Sequence, residues 1–290
     1  MNTSSTSKIS GLEFHALTAA GPKRLAVALE TGTIHELLDC LPLGVYSALR
    51  TFGHDRFLWL DAHFDRTQRS MEQLGWPNRL DREALRRALY AMARAYPLPE
   101  GVVRFDVLRE PATIQGATAD VFIALSPYLP VPDEFLREGV RVEFAPHLRR
   151  ETPLIKTTEF VRRRRPLPWS TRERYEGVLL DDDQCILECS SANIAFVRGK
   201  RVIAAGDGVL EGITSLVLRK VTQTVGLEFE DRRLPVAELG DVDEAFLSSS
   251  SRGVVPIVQV ENTRIGDGKV GPRTRALLEG YYAFAEREAK

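Results

Sequence analysis

Short apolar or alternating segments run along most of this chain, and they require a fold with a substantial β-sheet. Segments of this length, bounded by turn residues, are typical of strands. Four longer segments place apolar residues three or four positions apart, which is the spacing of one helix face. The predicted strands are 43–52, 57–60, 102–108, 120–126, 140–146, 176–181, 184–188, 193–198, 201–204, 243–248 and 254–260, and the predicted helices are 61–74, 81–95, 214–225 and 272–288. The fold class is therefore mixed α/β.

A proline-rich segment, PYLPVPDE, divides the chain. Proline cannot donate to a sheet and stiffens the chain, so this segment is unsuited to a central strand. It predicts a linker at 127–134 between a smaller N-terminal α/β domain at 21–126 and a larger, strand-rich domain at 135–290. Residues 1–20 are predicted to form a loose polar lead-in.

Two aspartates mark the starts of the first two predicted helices. Asp61 stands at the start of the periodic segment that ends near Leu74, and Asp81 is the first residue of the one at 81–95. An aspartate at this position can accept a hydrogen bond from the exposed N–H groups of the first turn. Asp61 can therefore cap the first of these helices, and the second is predicted to start at Asp81.

The overall composition excludes several classes of protein. A net charge of −1 over 290 residues argues against a dedicated nucleic-acid or membrane-surface binder. The three cysteines form no CxxC pair, and no apolar run is long enough to span a membrane. The five histidines form no HExxH cluster, and no GxGxxG joins a strand to a helix, which disfavours a metal hydrolase and a dinucleotide oxidoreductase. We expect a cytoplasmic protein.

Lysines are few, and one of them has an apolar, β-branched neighbourhood. Lys156 lies in TPLIKTTEF, whereas Lys200 lies in the turn RGKR and Lys269 in the turn GDGK. Partial burial lowers the pKa of a lysine and makes it a usable amine nucleophile. The alternative is a lysine at a strand edge that extends its amine to water.

Five motifs around and after Lys156 occur in a characteristic order. They are LIKTTEF, ILECSSANIAFV, GVLEGITSLVL, FLSSSSRGVVPIVQV and IGDGKVGPRT, and GVYSALRTF and LDAHFDRTQRSMEQLG precede them. From about Gly44 onward the chain resembles the class IV aminotransferases. These fold type IV enzymes use pyridoxal 5′-phosphate (PLP) and include branched-chain aminotransferases, D-amino-acid aminotransferases and aminodeoxychorismate lyase. The resemblance implies a PLP-binding C-terminal pseudo-barrel domain and a role in amino-acid metabolism.

The resemblance implies a role for each matching residue. Lys156 would hold PLP as a Schiff base and move the proton at the substrate Cα. Glu188 would face the pyridine nitrogen. Phosphate contacts would come from Arg66, Ile213, Thr214 and Ser250, and Ile213 and Thr214 lie where a helix N-terminus offers amide donors. The resemblance also implies that Ser191 is a cofactor-binding residue. Alone, each of these residues also fits an ordinary helix face, strand end or turn.

Substrate contacts are assigned to arginine and serine. Arg104 and Arg109 are separated by an odd number of positions on one predicted strand, so they point to opposite faces and at most one faces the pocket. Arg109 matches the residue that binds the α-carboxylate in the D-amino-acid branch and is preferred. Ser251 would offer its amide to the substrate. The family also implies a homodimer that takes an amino donor and a keto-acid acceptor.

Departures from the family pattern lie on the substrate side. Asp39, Cys40 and Leu41 stand where an aromatic residue usually lines the pocket, Val161 replaces a tyrosine of some members, and Cys189 follows the glutamate in place of glycine. The run Arg162–Arg165 is either a solvated basic loop or a rim that favours dianionic substrates. Pro166 and Pro168 would end any helix after Lys156.

The resulting interpretation is an aminotransferase that carries an amino group from an amino acid or amine to a 2-keto acid. Two alternatives stay open from the sequence. One is an aminodeoxychorismate-type lyase, which would release pyruvate without an acceptor acid. The other is a relative that binds PLP and is catalytically silent.

Overall fold

A computed structural model describes residues 11–28, 33–164 and 171–290. Two compact units make up the chain. The first contains Met1–Leu129, Ile155–Glu159 and Ala289–Lys290, and the second contains Pro130–Leu154 and Phe160–Glu288. The change of unit between Leu129 and Pro130 lies inside the proline-rich segment.

The first unit is built on a six-stranded antiparallel sheet. Its order is β2-β1-β6-β5-β3-β4. The strands are β1 (Glu13–Thr18), β2 (Gly21–Leu25), β3 (Gly44–Phe52), β4 (Arg56–Phe57), β5 (Gly101–Ile114) and β6 (Ala117–Pro127). Alternation along β5 gives the sheet two different faces, because successive side chains point to opposite sides.

Each face of this sheet carries an apolar cluster. On one face, Val103, Phe105 and Val107 of β5 join a cluster with residues of α2 (Leu60–Gln73) and α3 (Arg82–Ala95). On the other, apolar residues of β1 and β6 pack with α1 (Ile34–Leu38). Arg104 and Asp106 of β5 alternate with the first set, so they lie on the second face.

The second unit contains a ten-stranded mixed sheet. Its order is β12-β11-β10-β14-β15-β7-β8-β9-β13, and β16 pairs with β15. The strands are β7 (Val140–Phe144), β8 (Gly177–Leu180), β9 (Cys185–Cys189), β10 (Asn193–Arg198), β11 (Arg201–Ala204), β12 (Glu228–Asp231), β13 (Leu234–Pro235), β14 (Glu244–Ser249), β15 (Gly253–Val260) and β16 (Thr263–Arg264).

The second unit also contains helices. They are α4 (Asp133–Glu138), α6 (Ile213–Thr224), α7 (Pro272–Glu288) and the 3-10 helix Val236–Asp241, and α5 (Thr158–Arg164) runs from the first unit into the second. Buried Glu244 accepts hydrogen bonds from the Arg273 and Thr274 amides and so caps the start of α7.

The mixed α/β class is confirmed, and several local expectations need correction. The lead-in predicted at 1–20 is wrong from Glu13 onward, because β1 pairs with both β2 and β6; residues 1–10 lie outside the described part. Asp61 is not an N-cap. Helix α2 begins one residue earlier, because its N-cap is Trp59, which has a left-handed backbone conformation (φ 49°). Asp61 lies in the first turn of α2 and pairs with Arg86. Residues 133 and 134 of the proposed linker are helical.

Asp81 does cap α3, since its Oδ1 accepts a hydrogen bond of 2.9 Å from the Ala84 amide. We predict that Asp81→Ala lowers the free energy of unfolding by about 1 kcal/mol, because the amide then loses its acceptor. Denaturant unfolding measures this change. Asp81→Ser, which keeps a capping oxygen, should recover most of it; an equal loss in both variants would contradict the capping account.

Candidate active site

The segment that carries Lys156 is attached to the beginning of β3. The Tyr46 amide donates a hydrogen bond of 3.0 Å to the Lys156 carbonyl, and Val45 and Thr157 form an antiparallel bridge. The Gly44 amide donates to Thr158 Oγ1 at 2.8 Å. These bonds fix the backbone on both sides of the lysine within the first unit.

The amine of Lys156 contacts an aromatic ring of that unit. Its Nζ lies 4.8 Å from the centre of the buried Tyr46 ring, a distance at which a cation is attracted to the ring face. The lysine is half-buried. The prediction of a partly buried lysine is therefore confirmed, and Tyr46 is a neighbour that the sequence analysis missed.

A buried polar cluster on α2 and β3 contains the proposed phosphate arginine. Arg66 donates to Ser47 Oγ at 2.8 Å, and a second bond of 2.8 Å joins Ser47 Oγ to His63 Nδ1. Burial, followed by the charges of Arg66 and Lys156, lowers the pKa of His63 well below its usual value. The ring of His63 is therefore neutral near pH 7, and Arg66 supplies the positive charge of this cluster.

The two candidate arginines of β5 have different surroundings. Arg104 is 3% exposed and donates to both carboxylate oxygens of Asp106, at 2.8 and 2.6 Å, while its guanidinium carbon lies 4.2 Å from the Tyr46 ring centre. Arg109 is exposed, at a place where the pairing of β5 with β6 becomes irregular. Asp106, which holds Arg104, was not identified from the sequence.

In the second unit, Glu188 lies at the end of β9 and is paired with an arginine. Arg150 Nε donates to Glu188 Oε1 at 2.7 Å, and the guanidinium carbon of Arg150 lies 3.8 Å from the centre of the Phe160 ring. Both charged side chains are nearly inaccessible to solvent. Arg150 fixes the direction of the carboxylate, and the sequence analysis missed it because the two residues are far apart in sequence.

A second buried carboxylate organises the turn after Glu188. Glu176 accepts hydrogen bonds from the hydroxyls of Ser190 and Ser191 and from Arg252 Nη1, the last at 2.9 Å. Burial alone would raise the pKa of Glu176, but Arg252 and the two hydroxyls outweigh it, so the pKa is lowered. The side chain of Ser191 therefore belongs to this network, which links the Ser190–Ser191 turn to the turn after β14.

The beginning of α6 offers the donors that a phosphate group requires. Gly212 is its N-cap and provides no side-chain cap, and a Cβ there would clash with Asn193 Oδ1. Asn193 Nδ2 donates to the Leu210 carbonyl at 2.8 Å and so holds the preceding loop. The Thr214 hydroxyl lies 3.5 Å from Ser250 Oγ. The structure thus brings Ser250 close to the N-terminal turn of α6, which includes the buried Ile213. Ser251, the next residue, is half-buried.

The departures noted in the sequence have the following surroundings. Asp39 is exposed and acts electrostatically on Arg104, and Val161 is buried. Burial, and then Glu176, raises the pKa of Cys189 well above its usual value, so this residue remains a thiol.

Among the arginines after Lys156, Arg163 pairs with Glu151 and Arg164 donates to the Ser190 carbonyl. Arg162, Arg163 and Arg164 belong to α5, so the basic loop expected for them is wrong, and these two contacts give Arg163 and Arg164 partners within the protein. Arg165, Pro166 and Pro168 lie outside the described residues.

Two kinds of feature are absent from the described ranges. No helix in residues 11–28, 33–164 or 171–290 has the length and apolar character needed to cross a membrane. Over the same ranges, His, Cys, Asp and Glu side chains form no group of three that could bind a metal ion.

Comparison with known proteins identifies the family. The sequence profile described as "Amino-transferase class IV" matches residues 44–260. The Thermotoga maritima protein named "Probable branched-chain-amino-acid aminotransferase" is 29% identical over 250 residues, which are 83% of this chain and 85% of that protein. A shorter match to the protein of the same name in Aquifex aeolicus is 33% identical over 110 residues, 37% of this chain and 35% of that protein.

The fold is shared with a solved structure. The crystal structure of the Escherichia coli branched-chain amino acid aminotransferase superposes with a TM-score of 0.74, with 98% of this chain and 97% of that chain covered at 19% identity. That likeness confirms the predicted fold type IV architecture. Because the family profile covers most of the sequence, the chain belongs to the class IV aminotransferases and is a PLP-dependent aminotransferase.

Proposed function

We propose that Lys156 binds PLP covalently and that this aminotransferase exchanges amino groups between an α-amino acid and a 2-keto acid. The observation that carries the proposal is the attachment of the Lys156 segment to β3, with the amine against the Tyr46 ring. When bound, PLP supplies an aldehyde that takes up the amino group and a ring that withdraws electrons from the substrate Cα. The Lys156 amine would accept the proton from Cα and return it at the end of each half-reaction.

Each unit offers groups of the chemical kind that the charged parts of this cofactor require. A phosphate dianion requires positive charge and several donors, which Arg66, the amides of Ile213 and Thr214, and the hydroxyls of Thr214 and Ser250 would supply. A protonated pyridine nitrogen requires a carboxylate, and Glu188, oriented by Arg150, would supply it. Ser191 would act through the turn that Glu176 holds.

Binding of the substrate α-carboxylate is assigned to Arg109 and to the amide of Ser251. Arg109 is exposed on β5 and is a cation able to take a carboxylate in a bidentate manner. Arg109 therefore remains the preferred residue for binding the α-carboxylate. Arg104 is the weaker candidate, because Asp106 already engages two of its donors.

Replacing Lys156 by alanine is predicted to reduce transamination by about 10²- to 10⁴-fold, because the proton at Cα then has no base. Steady-state kinetics with a panel of amino acids and 2-keto acids provide the measurement. Lys200→Ala, in the exposed turn between β10 and β11, is the matched control and should keep full activity.

Three outcomes would contradict this proposal. Activity of Lys156→Ala equal to that of Lys200→Ala would remove the lysine from the mechanism. Release of pyruvate without any acceptor acid would indicate the lyase. A cofactor absorbance that no amine changes would indicate the silent relative.

Thr214→Val is predicted to weaken PLP binding by about tenfold or more, since a hydrogen bond to a charged group contributes about 1.5–3 kcal/mol. Titration of the apoenzyme with PLP, followed by fluorescence, measures the affinity. Thr224→Val at the other end of α6 is the control, because Thr224 Oγ1 donates only to the nearby Val221 carbonyl in the described contacts. Equal affinities for the two variants would exclude Thr214 from the phosphate site.

We further propose that the enzyme is a cytoplasmic homodimer. The three cysteines are all free thiols, as is typical of proteins in a reducing compartment. The family resemblance supports the dimer. Light scattering during size-exclusion chromatography should give twice the chain mass of 32.5 kDa, and full activity at the monomer mass would contradict it.

A further inference from the structure

The turn between β14 and β15 carries two of the residues to which a role in the site is proposed. Strand pairing ends where Ser249 lies opposite Gly253, so it does not fix the residues between them. The Arg252 amide closes the turn by donating to the Ser249 carbonyl at 3.3 Å, and Ser250 and Ser251 occupy the two central positions. The placement of these two serines therefore depends on contacts beyond the strand pairing.

The side chain of Arg252 supplies such contacts. Its Nε donates to Ser249 Oγ at 3.1 Å, within the turn itself. Its Nη1 donates to Glu176 Oε1 at 2.9 Å, and its Nη2 donates to the hydroxyl and the carbonyl of Ser191, at 2.8 and 3.3 Å. All three guanidinium nitrogens are engaged, and one side chain joins this turn to two residues that are distant in sequence.

The two distant partners are themselves fixed. Glu176 is 2% exposed and directly precedes β8, which pairs with β7 and β9. Its carboxylate also accepts hydrogen bonds from the hydroxyls of Ser190 and Ser191 and, at 3.2 Å, from the Ser191 amide. Charge-assisted hydrogen bonds are among the stronger ones, and a buried network whose members are all satisfied is rigid. Arg252 therefore attaches the turn to a rigid support.

The turn also meets the beginning of α6. The Thr214 hydroxyl lies 3.5 Å from Ser250 Oγ, and Thr214 is buried in the first turn of the helix whose amides are proposed to bind phosphate. The distance from the Ser250 hydroxyl to these donors depends on the position of the turn. Through the turn, Arg252 therefore affects the group of donors that the phosphate requires.

We propose that Arg252 is a positioning residue, which holds Ser250 for the cofactor phosphate and the Ser251 amide for the substrate α-carboxylate. This inference rests on the proposed function, from which the roles of the two serines are taken. Arg252 acts through its hydrogen bonds, since Glu176 compensates its charge and each guanidinium nitrogen already has a partner. Lysine cannot replace it, because an ammonium group lacks the planar fork that holds several partners at once.

Arg252→Lys, which keeps the charge and loses the fork, provides the first test. The apoenzyme of this variant should bind PLP about tenfold more weakly than the wild-type apoenzyme in a fluorescence titration, because the turn that presents Ser250 is released. With saturating PLP, the KM values for pyruvate and for 2-oxoglutarate should both rise by a similar factor of about ten, while kcat changes less. The two acceptors have the carboxylate beside the keto group in common, so an equal rise points to that group.

A matched control changes another arginine of the second unit in the same way. Arg219 lies on α6 and pairs with Asp231 at the surface. Arg219→Lys should leave the PLP affinity and both KM values unchanged.

Variants of the partners separate positioning from charge. Glu176→Gln keeps the shape of the acceptor and leaves the Arg252 cation uncompensated, and Ser249→Ala removes only the acceptor of Nε. The positioning role predicts that both variants weaken PLP binding, and that the double variant Glu176→Gln/Arg252→Lys binds PLP no more weakly than Arg252→Lys does. A phosphate attracted by the charge of Arg252 would bind more tightly to Glu176→Gln and equally well to Arg252→Lys, and that result would overturn the proposal.

The other possible failures can be told apart. A lower melting temperature of the apoenzyme, with PLP affinity and KM unchanged in all these variants, would leave the network a purely structural role and would overturn the proposal. A rise in KM for only one of the two acceptors would contradict the role of Arg252 in binding the α-carboxylate. A wild-type enzyme that takes up no PLP would instead contradict the proposed function.

Discussion

The short antiparallel pairing between the Lys156 segment and the start of β3 is the contact on which the proposed active site depends. It joins residues more than a hundred positions apart through the Tyr46 amide and the Lys156 carbonyl. Gly44 is required beside it, because a Cβ at this position would clash with the Val107 carbonyl of β5. Closing so long a loop has an entropic cost, which the buried neighbours of β3 offset. The position of the amine on the Tyr46 ring follows from this pairing.

Arginine–carboxylate pairs give the polar interior of each unit its order. Arg104 with Asp106 belongs to the first unit, and Arg150 with Glu188 and Arg252 with Glu176 belong to the second. A buried charge is tolerated when it is paired and hydrogen-bonded, and removing one partner leaves the other uncompensated. Each of these pairs includes or adjoins a motif residue. The pairs therefore set the direction of charged groups to which a role in the active site is proposed, or of groups beside them.

Features with local causes could be predicted from the sequence. The start of α3 follows from Asp81 and the periodicity after it, and the two faces of β5 follow from its alternation. The partial burial of Lys156 followed from its apolar neighbours. By contrast, β1 is stabilised by pairing with β6, about a hundred residues away, and its sequence was assigned to the polar lead-in and not to a strand. Asp61 lost its predicted capping role because the left-handed Trp59 starts α2 one residue earlier.

The partners of the candidate residues were the least predictable part of the site. Asp106 is two positions from Arg104, yet only the bidentate geometry shows that it engages the arginine. Arg150 and Glu188 are 38 residues apart, and Glu176 and Arg252 are 76 apart, so their pairing depends on the order of the strands. Motifs indicated which residues are candidates for the chemistry. They did not indicate which charges hold those residues in place.

The central claim, that Lys156 forms the covalent bond to the cofactor, can be tested most directly by borohydride reduction of the PLP-loaded enzyme followed by peptide mass mapping. The account predicts one pyridoxyl-phosphate label per chain, on the peptide that contains Lys156. A label on another lysine, such as Lys220 of α6, or no retained label after denaturation, would contradict it.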